Sequence, residues 1–238
     1  MASIHTRTLS ACLFLTTINC GGSKPAAQAP DEAPEPTRSR SSESSVQMSA
    51  EIGALPPEAT AAAFEQSLEQ IQACFFRGSQ RVEFLGGSIT FKVIVGQDGT
   101  VQHVFAERST LGDRQTETCM FEALKASSWP QPVGGPIGVA ENSFEFEMSS
   151  DVRPPVMWDS GEVAGVLEEH AEALAACRSG GARAIATVYV GTDGKALAAG
   201  VAAPNQEAES ASQCLVAVLL EAQYPEPGSW PAKVSFTL

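Results

Sequence analysis

The feature that most constrains the fold of this chain is an internal repeat. The chain aligns with itself at an offset of 95 residues. One further match, between Cys74 in the first copy and Cys177 in the second, has an offset of 103. One insertion of eight residues in the first copy accounts for the difference. The pairs that match at 95 are Val93/Val188, Gly96/Gly191, Asp98/Asp193, Gly99/Gly194, Cys119/Cys214, Pro130/Pro225, Pro132/Pro227 and Pro136/Pro231. We therefore expect two small domains, at residues 51–150 and 151–238, rather than one large domain.

Both copies predict the same order of elements. Apolar residues at helical spacing run from Phe64 to Phe75 in the first copy and from Val163 to Cys177 in the second. In the first copy an alternating strand, an Asp98-Gly99 turn and a second strand then form a hairpin. A helix with the later cysteine follows, and prolines end it before a last strand. The order α-β-β-α-β predicts an α+β fold, in which each copy has a three-stranded antiparallel sheet with helices on one face.

The N-terminus predicts export. An apolar run from Leu9 to Ile18 precedes Cys20, and residues 1–20 together have the pattern of a signal segment. The letters Thr-Ile-Asn-Cys, which end at Cys20, resemble a bacterial lipobox, so we expect a lipidated Cys20 and a membrane-anchored protein in the cell envelope or periplasm. The alternative is an ordinary cleaved signal with an incidental cysteine.

Residues 21–50 predict a flexible linker. The segment consists mostly of Ala, Pro, Ser and Glu, with one Val and one Met as its larger apolar residues. Such a segment cannot bury enough apolar surface to fold, so we expect a disordered tether between the anchor and the first domain.

Charge and residue content exclude several classes of function. The formal net charge is −13 and no basic stretch occurs, so nucleic acid is not an expected partner. Only three histidines are present, and neither a zinc site nor a catalytic triad can be built from them at known spacing. We expect no metal, no cofactor, no small-molecule substrate and no enzymatic activity.

The four cysteines beyond the signal segment favour disulfides in an oxidising compartment. No Cys-x-x-Cys spacing occurs, so a metal or redox site is not favoured. Four cysteines permit three connectivities, of which the duplication favours Cys74 with Cys119 and Cys177 with Cys214. The alternative is that they are free thiols packed as small apolar groups.

A group of motifs in the first copy resembles a known family. They are Cys74, Gly96-Gln97-Asp98-Gly99-Thr100-Val101, Ser109-Thr110-Leu111-Gly112-Asp113, Glu117-Thr118-Cys119, Trp129-Pro130-Gln131-Pro132 and Gly134-Gly135. Together they are similar to the C-terminal domain of the AgmX/PglI family, which occurs in envelope proteins of myxobacteria and is itself similar to the C-terminal domain of TonB. The resemblance covers residues 62–148 and is partial in the second copy. It implies two tandem TonB-C-like units, an envelope location and a protein-interaction role in motility or transport.

The expected function is therefore binding of another envelope protein. The loop Ser109, Thr110, Leu111, Gly112 and Asp113 is the candidate partner-binding segment, although Asp113 could simply cap the next helix. A three-stranded sheet also keeps two edges, so partner capture by strand addition is available, with the first copy as the better candidate. The rival is a structural or ligand-binding lipoprotein that holds a small molecule or cell-wall polymer between the repeats. An unpaired strand edge would favour the former, and a deep polar pocket between the repeats the latter.

Overall fold

The computed structural model describes residues 51–178 and 183–238. The predicted signal, Cys20 and the predicted linker lie outside the described residues. Residues 51–150 are called repeat 1 below, and residues 151–238 are called repeat 2.

Repeat 1 is a mixed α+β unit that follows the predicted order, with one additional strand at its start. Its elements are β1 (Ile52–Gly53), α1 (Pro57–Ser79), β2 (Gly87–Gly96), β3 (Val101–Ser109), α2 (Arg114–Ala126) and β4 (Ile137–Phe146). The sheet has the strand order β1-β4-β2-β3. Strands β3 and β4 lie antiparallel to β2 on either side of it, and β1 lies parallel to β4.

Repeat 2 has the same strand order. Its elements are β5 (Val156–Trp158), a 3-10 turn (Ser160–Val163), α3 (Ala164–Glu169), α4 (Ala171–Cys177), β6 (Ile185–Val190), β7 (Ala196–Ala202), α5 (Gln206–Glu221) and β8 (Ala232–Thr237). The sheet order is β5-β8-β6-β7, with β5 parallel to β8 and the other pairs antiparallel.

The prediction of three-stranded sheets was therefore incomplete, because each sheet has a fourth strand. The additional strands contain two and three residues. Segments this short cannot display the alternation by which strands are recognised in a sequence. They pair only with the beginning of the last strand of each repeat, where β1 meets Ile137 and Gly138.

The repeats share details of hydrogen bonding as well as topology. In repeat 1 the indole Nε1 of Trp129 donates to the carbonyl of Leu124 at 2.8 Å. In repeat 2 the hydroxyl of Tyr224 donates to the carbonyl of Leu219 at 2.9 Å. Both bonds join the residue before a proline to one of the last four carbonyls of the preceding helix, which have no i+4 partner within the helix. The hairpin turns also match, since Gly99 and its counterpart each have a positive φ that suits glycine.

The opening helix of repeat 2 differs from the prediction of one continuous helix. It divides at His170, whose φ of −98° and ψ of 10° interrupt the helical backbone between α3 and α4. The imidazole Nδ1 of His170 lies 3.0 Å from the carbonyl of Val166, so the ring contacts the end of α3.

Each repeat encloses an apolar core between its sheet and its helices. In repeat 1 alternate residues of β2, among them Phe91 and Val93, are fully buried against α1 and α2. The core of repeat 2 is built from smaller side chains, such as Val188 and Leu215. The core of repeat 1 also includes three residues of repeat 2: Tyr189, Ala198 and Ala202. Both repeats accordingly belong to one compact unit.

One disulfide joins the helices within each repeat. Cys74 of α1 is bonded to Cys119 of α2, with the Cα atoms 5.7 Å apart. Cys177 of α4 is bonded to Cys214 of α5, with the Cα atoms 5.5 Å apart. Both separations lie in the usual range for disulfides. The bonds suggest an oxidising, extracytoplasmic location. Within the described ranges no helix is long and apolar enough to cross a membrane.

Candidate interaction surfaces

Repeat 2 covers one side of repeat 1 with the face of its sheet that carries no helix. Tyr189 of β6 is fully buried at this contact, and its hydroxyl donates to the carbonyl of Gly86 at 3.1 Å. Lys233 of β8 donates to the same carbonyl at 2.6 Å, and its ammonium lies 5.0 Å from the centre of the Tyr189 ring. Burial lowers the pKa of Lys233 to about 8. These contacts hold repeat 2 against the turn that leads into β2.

The neighbouring edges β3 and β7 meet at the same contact. The amide of Ala203 donates to the carbonyl of Ala106 at 2.8 Å, which joins the two strand edges directly. Small residues permit this approach. A Cβ placed on Gly200 would lie 2.9 Å from the Cα of Gly112, and one on Gly112 would lie 2.6 Å from Cγ2 of Thr187. Edge β3 is therefore covered by repeat 2.

The predicted partner-binding loop lies against this contact. Ser109, Leu111, Gly112 and Asp113 are buried, and Thr110 alone is exposed. Asp113 accepts from Thr116 at 2.5 Å and forms an ion pair with Arg81, so its carboxylate is held by repeat 1 itself. The structure thus brings the five residues together but uses most of them inside the molecule.

Glu117 lies at the centre of the contact; the sequence placed it in a family motif but indicated no role for it. Its side chain is fully buried, one carboxylate oxygen accepts from Ser109 at 2.6 Å, and the other has no hydrogen-bond partner. Burial raises the pKa of Glu117 from 4.5 to about 7, while the Ser109 bond and Arg114 act in the opposite direction. A Cβ on Gly200 would lie 2.9 Å from the carboxylate, so repeat 2 closes directly over it. Its position in the first turn of α2 was compatible with an ordinary exposed acid.

A cleft of about 600 Å³ also lies between the repeats. Repeat 1 contributes polar residues such as Arg81 and Arg114, and repeat 2 contributes Leu197, Val216 and Leu220. Arg114 pairs with Glu209 of α5 at 2.5 Å, and its guanidinium carbon lies 5.3 Å from the centre of the Phe121 ring. Arg81 and Nη2 of Arg114 are thus engaged by neighbouring carboxylates, whereas Nε and Nη1 of Arg114 are buried without a hydrogen-bond partner.

The opposite edge of repeat 1 is open. The amide of Gly96 donates to the carbonyl of Thr100, and the amide of Thr110 donates to the carbonyl of Ser88. The backbone amides and carbonyls of the even-numbered residues of β2 therefore point toward β3. The odd-numbered residues of β2 consequently point toward β4, because backbone groups alternate along a strand. The ladder between β2 and β4 is regular. The backbone groups that point outward from β4, beyond the reach of β1, are the carbonyl of Val139 and the amides and carbonyls of Glu141, Ser143 and Glu145.

These outward amides have almost no partners. The amide of Ser143 donates to Oδ1 of Asn142 at 2.9 Å, a local bond that partly blunts the edge. The parallel pairing of Gly53 with Gly138 uses the amide of Val139, whereas β1 does not extend to the amides of Glu141 and Glu145. An edge about seven residues long, from 139 to 145, is therefore available for pairing.

Apolar side chains lie beside this open edge. A groove of about 450 Å³ runs between β4 and the start of α1, with Leu55, Ala61, Phe64 and Val139 among its walls. Val139 is 40% exposed and Val133 is 68% exposed. Half of the exposed large hydrophobic residues of the described chain lie on the outer strands β1, β4 and β5 or at Val133, which pairs with the end of β1.

The corresponding edge of repeat 2 is shorter. The amide of Leu238 donates to the carbonyl of Ala184. The backbone groups of the even-numbered residues of β8 therefore point toward β6. Strand β5 covers β8 up to Val234. Beyond the reach of β5, the outward groups of β8 are therefore the carbonyl of Ser235 and the backbone groups of Thr237, so one outward amide is open against three in repeat 1.

Comparison with known protein families and with curated proteins gives no match for this chain. Within the described ranges no group of three or more His, Cys, Asp or Glu residues is placed to hold a metal ion. The candidate surfaces are accordingly judged from their geometry alone.

Proposed function

We propose that the protein is a non-catalytic interaction module of the cell envelope, which captures an extended segment of another envelope protein at the open edge of β4. The observation that carries this proposal is the row of outward backbone groups from Val139 to Glu145 beside an apolar groove. Strand addition uses these two features together, since backbone hydrogen bonds supply affinity and side-chain pockets supply selectivity.

The location and the anchor belong to the same proposal. Two disulfides suit an oxidising compartment. A lipidated Cys20 and the linker of residues 21–50 would then tether the folded unit at a membrane surface. The resemblance of repeat 1 to the AgmX/PglI and TonB C-terminal domains is in keeping with an envelope role in motility or transport assemblies.

Repeat 2 has a supporting role in this proposal. It covers β3 and the loop from Ser109 to Asp113, so that edge is not free for a partner. Its own outer edge offers only two outward residues. Repeat 1 is therefore the capturing unit.

A second candidate function is supported by the cleft between the repeats, where Leu197, Val216 and Leu220 face the polar residues of α2. A small ligand or polymer there would have to compete with the ion pairs that Arg81 and Arg114 already make. Open amides have no such competitors, which favours the β4 edge.

Proline substitution tests the proposal. Glu141→Pro removes an outward amide without breaking the ladder to β2, so it should abolish partner capture in crosslinking pull-downs from intact envelopes. Glu141→Ala controls for loss of the carboxylate, and Thr237→Pro is the matched change on β8; both should retain capture. Unchanged capture by a folded Glu141→Pro variant, with its thermal melting preserved, would remove β4 as the binding edge.

A further inference from the structure

The two faces of the β4 edge differ in chemistry. On the helix side of the sheet the edge adjoins the groove with Leu55, Ala61 and Phe64. On the other side Val139, Glu141 and Glu145 are exposed, and Glu141 also borders the groove. Side chains of directly paired residues lie on one face, so Glu141 shares its face with Lys92 and Glu145 with Ser88.

The two exposed carboxylates differ in compensation, because Glu141 lies near two cations and Glu145 near none in the described part of the chain. Lys92 forms its closer ion pair with Glu107 and lies 3.7 Å from Glu141, and Arg108 lies 3.7 Å from Glu141. Glu145 has no ion-pair partner within the described residues. An added strand would bring every second side chain over these acids, where like charges oppose pairing and opposite charges favour it.

From this difference we infer that the β4 edge selects an extended segment of about seven residues in which apolar and basic side chains alternate. The apolar side chains enter the groove beside α1, and the basic ones lie over Glu141 and Glu145. This inference rests on the proposed function and adds the chemistry of the partner.

A second copy of this chain does not fit the same edge. If two β4 edges met antiparallel around a twofold axis, Glu141 and Glu145 of both copies would share one face of the joined sheet. Such a pairing places acids beside acids with no added cation, and like charges across strands are destabilising. The complementary occupant is therefore a segment with basic residues.

Peptide binding tests the inference. The probe is a heptapeptide of alternating valine and lysine, compared with a valine–glutamate peptide and with a valine–lysine peptide of the same composition in scrambled order. Fluorescence anisotropy with the full folded unit should give an affinity for the alternating lysine peptide at least about tenfold above either comparison peptide, and added salt should weaken it. Glu145→Lys should weaken the lysine peptide about two- to fivefold, whereas Glu168→Lys, an exposed acid on α3, should leave it unchanged.

The outcomes separate the partner chemistry from the edge itself. Equal binding of lysine and glutamate peptides, both lost in Glu141→Pro, would overturn the basic pattern and leave the edge in place. Binding of the lysine peptide that is unaffected by both Glu145→Lys and Glu141→Pro would overturn the inference and the edge together. Absence of binding by the lysine peptide would overturn the inference, while capture in envelopes would still decide the function.

Discussion

At the scale of single residues, the contact between the repeats depends on a buried acid and on two glycines, which have no side chain. Glu117 has an oxygen without a partner, and two glycines allow backbone and carboxylate to meet at van der Waals distance. A buried carboxylate is stable there only when it is neutral or compensated. The stability of this contact should therefore depend on pH and on small increases in side-chain volume.

Glu117 predicts a fall in stability as the pH rises. Its pKa is near 7 in the folded protein and near 4.5 when exposed, so its contribution is fully present below 4.5 and is lost as the pH rises through 7. The difference corresponds to about 3 kcal/mol. Glu117→Gln should flatten this dependence in urea unfolding measured at pH 5 and pH 8, and Glu122→Gln, an exposed acid of α2, should not. A Glu117→Gln variant with the pH profile of the wild type would contradict the assignment.

Gly200 predicts sensitivity to a single methyl group. In Gly200→Ala the new Cβ would lie 2.9 Å from both the Glu117 carboxylate and the Cα of Gly112. Overpacking of this kind should cost about 1–3 kcal/mol in the free energy of unfolding. Gly165→Ala is the control, because nothing lies within 4 Å of a Cβ at that position. Equal thermal stability of the two variants would show that the repeats do not meet as closely as described.

At the scale of elements, the disulfides tie the two helices of each repeat. They close loops with sequence separations of 45 and 37 residues, and each should stabilise its repeat by about 4 kcal/mol on the chain-entropy estimate. Peptide mapping without reduction should find Cys74 with Cys119 and Cys177 with Cys214. Cys74 is buried and Cys214 is exposed, so mild reductant should open the second bond first. A link between the repeats would contradict the packing described here.

The elements also show which parts of the fold could be predicted from sequence patterns. Helix α1 was predictable because Phe64, Ile71 and Cys74 recur at helical spacing, and the first hairpin because an Asp-Gly turn separates two alternating runs. Strands β1 and β5 were missed because their pairing depends on residues over 70 positions away and not on any local period. The break at His170 was missed because the apolar spacing continues across it.

The candidate surfaces were predictable only in part. That a sheet edge of repeat 1 stays open follows from topology, since three strands cannot close on themselves. Which edge it is depends on the packing of repeat 2, which covers β3 and leaves β4. The Ala- and Gly-rich sequence of β7 is the one local sign of that close contact, because small residues permit backbones to approach. Burial of Glu117 left no such sign, since an acid in the first turn of a helix is ordinarily exposed.

At the scale of the whole molecule, one repeat presents an edge and the other supports it. The packing of small residues of β7 on repeat 1 joins the two sheets into one unit. The outer strands remain at the periphery, where the exposed apolar residues gather. Under the proposed function, the two repeats, which share one strand order, have different roles.

The proposed anchor predicts the distribution of the whole protein. A lipidated Cys20 should place it in the membrane fraction, since two or three acyl chains anchor stably. Cys20→Ala should release the protein or block its processing, as measured by fractionation and intact mass. An unchanged membrane pool at unchanged mass would remove the lipid anchor from the account.

Site-specific photo-crosslinking in intact envelopes tests the central claim most directly. A photoreactive residue is placed at Val139 on the β4 edge, at Leu197 in the cleft between the repeats, or at Ser235 on β8. We predict that Val139 forms a crosslink to a protein partner, that Ser235 forms at most a weak one, and that Leu197 forms none. Crosslinks from Leu197 without crosslinks from Val139 would contradict capture at the β4 edge and would place the ligand between the repeats.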